Sequence, residues 1–233
     1  MSRVLLKLSG EALGGSQGFG FDSKILQFLS LEISRLIAVG HSVGLVLGGG
    51  NLVRGSGFAE LSDDRVVGDH MGMLATIMNA LALSSFLNRN QVVNKVFSAL
   101  GIAGVAKDYD KNDALEVLSS GSVGIFAGGT GNPFFTTDSA AVLRAIEINA
   151  DVILKGTRVD GIYNKDPEKN KEATKFDSLS FEEVLKKGLK VMDTTAFTLS
   201  QENNLPIIVF DMNIKGNLSR IINGDKIGTR VDL

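Results

Sequence analysis

The chain has 233 residues, of which 44% are hydrophobic and 21% are charged, a balance typical of a globular protein that buries a core. Its 24 lysines and arginines nearly cancel its 26 aspartates and glutamates, so net charge gives no general reason to bind nucleic acid or an anionic membrane. The absence of cysteine excludes disulfides, zinc–thiolate sites and thiol nucleophiles, and two histidines are too few to indicate a histidine metal site.

Short apolar runs alternate along the chain with stretches of helical periodicity. In chain order the sequence predicts a strand at 4–6, a helix at 22–39, a strand at 43–47, a helix at 70–87, a strand at 92–97, a helix at 112–119, a strand at 123–127, a helix at 138–149, a strand at 152–154, helices at 181–187 and 195–203, a strand at 207–210 and a helix at 217–223. Asp22 is the expected N-cap of the first helix. The polar segment 157–180 is expected to leave the body of the protein as a β-hairpin.

The strands are continuous apolar runs, which is the pattern of parallel strands covered on both faces. Alternation of such strands with helices predicts an α/β fold, a three-layer sandwich around a central, mostly parallel sheet. We expect one domain over residues 1–233, with a soft boundary between two lobes near 150–157. No targeting peptide is recognised at the N-terminus, and no apolar run approaches the ~20 residues of a membrane span, so we expect a cytoplasmic protein.

Polar or glycine-rich loops follow four of the predicted strands. They are residues 7–10, 48–55, 128–138 and 157–167. Ligands of open parallel sheets bind at the carboxyl ends of the strands, so these loops are expected to form one site.

The residue types in these loops favour phosphate. Three consecutive glycines, Gly48 to Gly50, let backbone N–H groups approach an anion closely. Lys7 is a rigidly placed positive charge, and Arg54 offers a planar fork for phosphate oxygens. A second anion cradle is predicted where the hydroxyls of the 130–137 loop lead into the helix at 138. Two cradles suit a donor triphosphate and an acceptor phosphate.

Other nucleotide-binding and hydrolytic motifs are missing. The chain contains no Walker A motif, no dinucleotide fingerprint with its acidic residue and no nucleophile elbow. Each feature taken alone also has an ordinary explanation: the glycines as a tight turn, Lys7 and Arg54 as surface charges, and Asp69 as a helix cap. Their placement at successive strand ends is what favours phosphate binding.

Taken together, the runs 7–13, 48–55, 65–76, 129–141, 155–167 and 189–193 resemble the bacterial UMP kinases (uridylate kinases), which have the amino acid kinase fold. The resemblance spans nearly the whole chain, and the run Thr130 to Asp138 is its most specific part. Segments 84–122 and 168–188 match less well.

The resemblance implies a role for each of these loops. Residues implied in ATP binding are Lys7, Leu8, Ser9, Gly10, Gly50, Arg54, Thr157, Tyr163 and Asp166. Residues implied in UMP binding are Gly49, Asp69, Thr130, Gly131, Asn132, Pro133, Phe134, Phe135, Thr136 and Thr137. Lys7, Arg54 and Asp193 are implied as catalytic residues.

The resemblance also implies a homohexamer that GTP activates and UTP inhibits. The residues expected to respond to GTP are Gln17, Gly18, Phe19, Gly20, Phe21 and Asp22. The second pKa of a phosphate is near 6, so the acceptor is deprotonated at neutral pH and no general base is expected. Mg²⁺ is expected to arrive on ATP rather than in a protein metal site.

Two other hypotheses about the function stay open on the sequence alone. One is a sister kinase of the same fold that phosphorylates a carboxylate or carbamate, such as glutamate. The other is a nucleotide sensor that keeps the pocket without catalysis, although such a protein has no need of the charges of Lys7 and Arg54.

Overall fold

A computed structural model describes residues 2–53, 64–189 and 191–233. Its strands are β1 Arg3–Leu8, β2 Ser42–Leu47, β3 Asn94–Ser98, β4 Lys107–Asp108, β5 Val123–Ala127, β6 Val152–Thr157, β7 Ile162–Tyr163, β8 Lys175–Phe176, β9 Ser178–Ser180, β10 Ile207–Asp211 and β11 Thr229–Asp232. Its α-helices are α1 Gly10–Leu13, α2 Ser23–Ala38, α3 Arg65–Arg89, α4 Lys111–Ser119, α5 Thr137–Glu147, α6 Phe181–Lys186, α7 Thr194–Glu202 and α8 Asn217–Ile222.

One nine-stranded sheet runs through the protein in the order β4-β3-β5-β2-β1-β6-β10-β11-β9. Every neighbouring pair is parallel except β10 and β11. The carboxyl ends of β5, β2, β1, β6 and β10 therefore lie side by side along one edge. This arrangement confirms the predicted three-layer α/β sandwich.

Side chains alternate across the sheet, and the two faces bury separate cores. On one face Val4, Leu6 and Leu8 pack with α2, α3 and α8. On the other face Leu5 and Ile153 pack with α4, α5, α6 and α7. By the same alternation Lys7 and Lys155, two residues further along β1 and β6, lie on the α5 side of the sheet.

The central elements agree with the sequence prediction, with shifts at their ends. Asp22 caps α2 through hydrogen bonds from the Lys24 and Ile25 N–H groups, as predicted. The excursion predicted at 157–180 contains an antiparallel β-hairpin of β7 and β8. The prediction missed α1, a 3₁₀ turn at Gly15–Gln17, and the short strands β4, β9 and β11, all of which are too brief to show periodicity.

The predicted start of α3 was wrong. The helix begins at Arg65 instead of residue 70, and its N-cap is Asp64, whose carboxylate accepts the Val66 N–H. Asp69 therefore lies inside the helix, and the cap interpretation of this residue is excluded. The sequence did not indicate the first turns of α3, because they contain Gly68 and Gly72 and glycine has a low helix propensity.

The expectation about membrane spans also needs correction. By length and composition α3 qualifies as a candidate span, although 44% of its apolar stretch is buried inside the fold. Core helices of soluble proteins meet the same criterion. The helix α3 meets this criterion because no charged residue occurs from Met71 to Asn88.

Candidate active site

Two lysines and one aspartate meet where β1 and β6 approach their carboxyl ends. Lys7 and Lys155 are paired residues of these adjacent parallel strands, and each is only 8% exposed. Asp138 lies in the first turn of α5, which covers this face of the sheet. The pairing of the strands and the position of α5 thus bring all three charges together.

The aspartate holds one lysine with each of its oxygens. Lys155 Nζ lies 2.8 Å from Asp138 Oδ2 and donates a hydrogen bond to it. Lys7 Nζ lies 2.8 Å from Oδ1, close enough for an ion pair but without hydrogen-bond alignment. Lys155 also donates to the Val191 carbonyl. The Lys155 ammonium group is consequently fixed in direction by its two hydrogen bonds, and Lys7 is held by its ion pair. The cluster carries a net charge of +1.

The pKa values reflect this arrangement. Burial alone would raise the pKa of Asp138, but the charges of Lys7 and Lys155 outweigh it and hold that pKa below its usual range. Burial, and then repulsion by Lys7, lowers the pKa of Lys155 to about 8, even though Asp138 opposes the shift. Lys155 is therefore mostly charged at neutral pH and loses its proton in mild alkali.

The glycine turn, Gly48 to Gly50, borders this cluster. The Gly48 N–H donates to the carbonyl of Leu8, which ends β1. A Cβ atom on Gly10, the first residue of α1, would lie 2.5 Å from both Gly48 O and Gly50 N. The loops after β1 and β2 can therefore touch only because these positions lack side chains. Ser9 lies at the N-cap of α1 and makes no side-chain capping bond there.

The loop after β5 forms the other side of the site. Gly128 and Gly129 both have positive φ, which turns the chain sharply at the end of the strand, and the Gly128 N–H donates to the Thr76 hydroxyl. Phe134 has a φ of +73°, unusual for a residue with a side chain, and its N–H donates to Asp69 Oδ2 at 2.7 Å. Asp69 thus lies against the predicted acceptor loop, with Arg65 3.6 Å from the same oxygen.

The remainder of the predicted acceptor loop is open to solvent or close to it. Thr130 and Asn132 form a local hydrogen-bonded turn, and Phe135 is half exposed. Thr136 is the N-cap of α5, and Thr137 is its first residue.

Asp193 joins this loop to the opposite side of the site. It is the N-cap of α7, where its carboxylate accepts the Ala196 N–H. It also accepts hydrogen bonds from the hydroxyls of Thr136 and Ser139 at the start of α5. These contacts tie α5 to α7, and the catalytic role implied for Asp193 stays a prediction.

The predicted ATP residues at the end of β6 and after it make hydrogen bonds to near neighbours in the chain. Thr157 ends β6, and its hydroxyl bonds to the backbone of Val159. The Tyr163 hydroxyl donates to Asp160, a bond that raises the pKa of Tyr163. Asp166 bonds to the N–H of Glu168 in the turn of the hairpin segment. Arg54 lies outside the described residues, as does the end of the predicted 48–55 loop.

Sequence reasoning missed Lys155 and Asp138 as site residues. A signal was present, because Val152-Ile-Leu-Lys155 repeats the pattern of Val4-Leu-Leu-Lys7: a lysine that follows three apolar strand residues. The predicted strand stopped at 154 and so left Lys155 outside it. The ion pairs of Asp138 could not be predicted from the neighbouring sequence. Its partners are lysines of β1 and β6, which lie 131 and 17 residues away along the chain.

A metal cage is absent from the described parts of the chain, which contain no group of three acidic, histidine or cysteine residues placed to hold an ion. Asp138 and Asp193, the carboxylates nearest the lysine cluster, already have partners on both oxygens. The expectation that Mg²⁺ arrives on ATP stays a prediction.

The chain is similar to known proteins over nearly its whole length. Residues 2–211 match the model of the amino acid kinase family. A uridylate kinase of Shewanella loihica is 56% identical over 98% of this chain and 93% of its own length. One of Alcanivorax borkumensis is 55% identical over 99% of this chain and 92% of its own. The crystal structure of a UMP kinase from Bacillus anthracis superimposes with a TM-score of 0.96 at 39% identity, over 99% of this chain and 96% of the other.

Proposed function

This chain belongs to the amino acid kinase family, within its UMP kinases, and from that premise we propose that it transfers the γ-phosphate of ATP to UMP to give UDP and ADP in pyrimidine nucleotide synthesis. The observation that carries the proposal is the buried Lys7–Asp138–Lys155 cluster beside the glycine turn. In this proposal residues 1–150 form the acceptor lobe and residues 151–233 the ATP lobe.

The cluster suits the charge that develops during this transfer. As an oxygen of the UMP phosphate bonds to the γ-phosphorus, the bond to the bridging oxygen breaks and its electron pair leaves with ADP. Positive charge held in place before the reaction stabilises such a transition state without reorganisation. Lys7 would face the transferring group, and Asp138 keeps both lysines charged and in position.

No residue needs to act as a base. The acceptor phosphate has a second pKa near 6 and is already deprotonated at neutral pH. Catalysis then depends on alignment and on neutralisation of charge. Mg²⁺, carried by ATP, would supply further neutralisation of the phosphates.

The function is tested by ADP production from ATP with UMP, CMP, dUMP, AMP, glutamate, carbamate or no acceptor, each with and without Mg²⁺. Turnover on UMP far above the other acceptors supports the proposal. Preferred use of glutamate or a carbamate would indicate a sister kinase. Binding of UMP without turnover under every condition would indicate a sensor.

Asp69 provides a selective prediction for the acceptor side. Replacing Asp69 with asparagine is expected to raise the KM for UMP roughly ten-fold, because the amide keeps one acceptor oxygen where the carboxylate has two for Phe134 and the ribose hydroxyls. The KM for ATP should stay within about two-fold of its normal value. Steady-state kinetics with each substrate varied in turn measures both constants.

The matched control is Asp113→Asn, which removes a carboxylate paired with Lys107 in another part of the sheet. It should leave both constants unchanged. An equal rise in the KM for ATP in Asp69→Asn would remove Asp69 from the acceptor side.

A homo-oligomer, and specifically a homohexamer, is the proposed assembly, and α3 offers a face for it. Five of its large apolar residues point away from the core at intervals of four and three residues: Val67, Met71, Leu74, Met78 and Leu81. This is the spacing of a helix that packs along another helix. Met78 is 53% exposed and Leu74 is 46% exposed.

A second copy of the chain fits this stripe better than a membrane does. The stripe is a single line on a helix whose other face is buried in the core, and contiguous exposed apolar residues of this kind mark protein contacts. Two α3 helices related by a two-fold axis can bring identical stripes together with opposed helix dipoles. A stable interface needs about 800 Å² per partner, so the stripe would be its centre rather than its whole extent.

Met78→Glu is expected to break this contact, because the interface would bury an unpaired charge. Light scattering coupled to size-exclusion chromatography should show a smaller particle than the wild-type hexamer. The control Val39→Glu places the same charge on another exposed apolar residue, at the end of α2, and should keep the wild-type mass. An unchanged mass in Met78→Glu, or flotation of the wild type with lipid vesicles, would contradict the α3 interface.

Regulation by GTP as an activator, through residues 17–22, and by UTP as an inhibitor is proposed from the family resemblance. A cytoplasmic location without a nucleic-acid or membrane partner is proposed on the same ground. The assay above, repeated with each effector, tests the regulation directly.

A further inference from the structure

Two buried asparagines connect the glycine turn to the loop at residues 14–22, here called the N-terminal loop. The Asn51 amide N–H₂ donates to the Gly20 carbonyl at 2.8 Å and to Asn79 Oδ1 at 3.0 Å. The Asn79 amide N–H₂ donates to the Gly48 carbonyl at 2.6 Å and to Asn51 Oδ1 at 2.7 Å. The result is an unbroken path of hydrogen bonds from Gly20 to Gly48.

This pair has one orientation and no spare bonding capacity. Each amide uses both N–H groups and its oxygen, and both residues are completely buried. Turning either amide over would place its oxygen against the carbonyl of Gly20 or Gly48. Buried polar groups are costly unless every bond is made, so the two side chains hold their backbone partners at fixed distances.

The N-terminal loop is attached to Asn51 on two sides. Besides accepting from the Asn51 side chain, Gly20 donates its N–H to the Asn51 carbonyl at 2.9 Å. Within the loop Gly15 lies close against Asp22, since a Cβ atom on Gly15 would lie 2.2 Å from Asp22 Oδ2. It also exposes two aromatic side chains, Phe19 and Phe21, at its surface. A contact made at this surface would therefore act on Asn51 through Gly20.

The other end of the path reaches the phosphate side of the site. The Gly48 carbonyl, held by Asn79, belongs to the glycine turn that abuts Gly10 and the end of β1. Close-packed backbone of this kind passes on displacements, because it has no room to absorb them. A small shift of Gly20 would move the glycine turn against the residues beside Lys7.

We propose that Asn51 and Asn79 are positioning residues that couple the conformation of the N-terminal loop to that of the glycine turn, and so to phosphoryl transfer. The kinetic part of this inference rests on the proposed function. Neither asparagine needs to touch a substrate in order to act. Their effect is to set where the backbone N–H groups of the turn lie when the transition state forms.

The first test strains the loop without touching the site. Gly20 has a φ of +73°, and a Cβ added there meets no atom within 4 Å, so Gly20→Ala strains the backbone without a clash. We expect kcat with Mg-ATP and UMP to fall roughly five-fold while both KM values stay within about two-fold. Gly121→Ala is the matched control, with a φ of +78° and equally open space in the turn before β5. It should keep the wild-type kcat, and equal kcat values in the two variants would overturn the coupling.

The second test is Asn79→Ala, which removes the side-chain hydrogen bonds of Asn79 to Gly48 and to Asn51. If the asparagines carry the coupling, adding Gly20→Ala to Asn79→Ala produces no further fall in kcat, whereas independent effects multiply. Multiplied effects would overturn the proposal. Thermal unfolding of each variant establishes that the measured rates belong to folded protein.

A hydrogen-exchange measurement needs no turnover and no substitution. Saturating UMP with a non-hydrolysable ATP analogue should slow amide exchange at residues 18–21 of the wild type, and Gly121 should show no change. Unaltered exchange at residues 18–21 would overturn the coupling, even if the wild type proved inactive on UMP. An inactive wild type with slowed exchange would instead contradict the proposed function alone.

Discussion

Replacing Lys7 with alanine is expected to lower kcat by roughly 10²- to 10³-fold, the usual cost of removing one fixed charge or donor from a transition state. The KM for ATP and the KM for UMP should change far less. Lys7 lies on a central strand, 8% exposed, with its Nζ held 2.8 Å from Asp138. A charge already fixed in this way contributes most where negative charge develops, and less to ground-state binding. Initial rates with each substrate varied in turn provide both constants.

The control for this prediction is Lys95→Ala, which removes an exposed lysine from β3 of the same sheet. Its kcat should equal that of the wild type. A Lys7→Ala enzyme with near-normal kcat would exclude Lys7 from the mechanism. A large rise in KM at constant kcat would make Lys7 a binding residue only.

The sequence predicted the edge of the sheet at which the site lies, for a reason that Lys7 illustrates. Each central strand is a continuous apolar run that ends in a polar or glycine-rich loop, and parallel strands necessarily bring those ends together. The sequence alone therefore predicts that Lys7, the glycine turn and the 130–137 loop lie at one edge. The helix that begins beside Asp138 followed from the same pattern.

Relations between distant segments could not be predicted in this way. That Lys7 and Lys155 are partners depends on β1 pairing with β6 rather than with another strand, and strand order is not encoded locally. The Asn51–Asn79 pair is similar, because two asparagines 28 residues apart resemble ordinary turn and helix-surface residues until the fold buries them. The start of α3 was missed for a local reason, since Gly68 and Gly72 interrupt its pattern.

The second large effect on catalysis is expected from replacing Asp138, whose carboxylate pairs with both Lys7 and Lys155. Asp138→Asn is expected to lower kcat at neutral pH roughly 100-fold, because two buried lysines would then face each other without the carboxylate between them. The pKa of Lys155 is already lowered to about 8, and Asp138 is the main group that opposes this shift, with a smaller contribution from Asp193. Without it the pKa of Lys155 falls further, so that a smaller fraction of the ammonium group keeps its proton at neutral pH. The pH dependence of kcat/KM for ATP, which reports the free enzyme, measures this change.

The direction of the pH effect follows from which form of Lys155 is active. We expect the charged form to be the active one, because only the ammonium group offers positive charge to the phosphates, so kcat/KM for ATP in the wild type should decline as pH rises through about 8. In kcat the same decline should lie at higher pH, since bound ATP is an anion and favours the charged lysine. In Asp138→Asn the decline in kcat/KM should move below pH 8, and in Lys155→Arg it should disappear, because a guanidinium does not titrate in this range. A decline at the same pH in all three enzymes would mean that another group is responsible. Asp138 would then serve only to hold the two lysines in place.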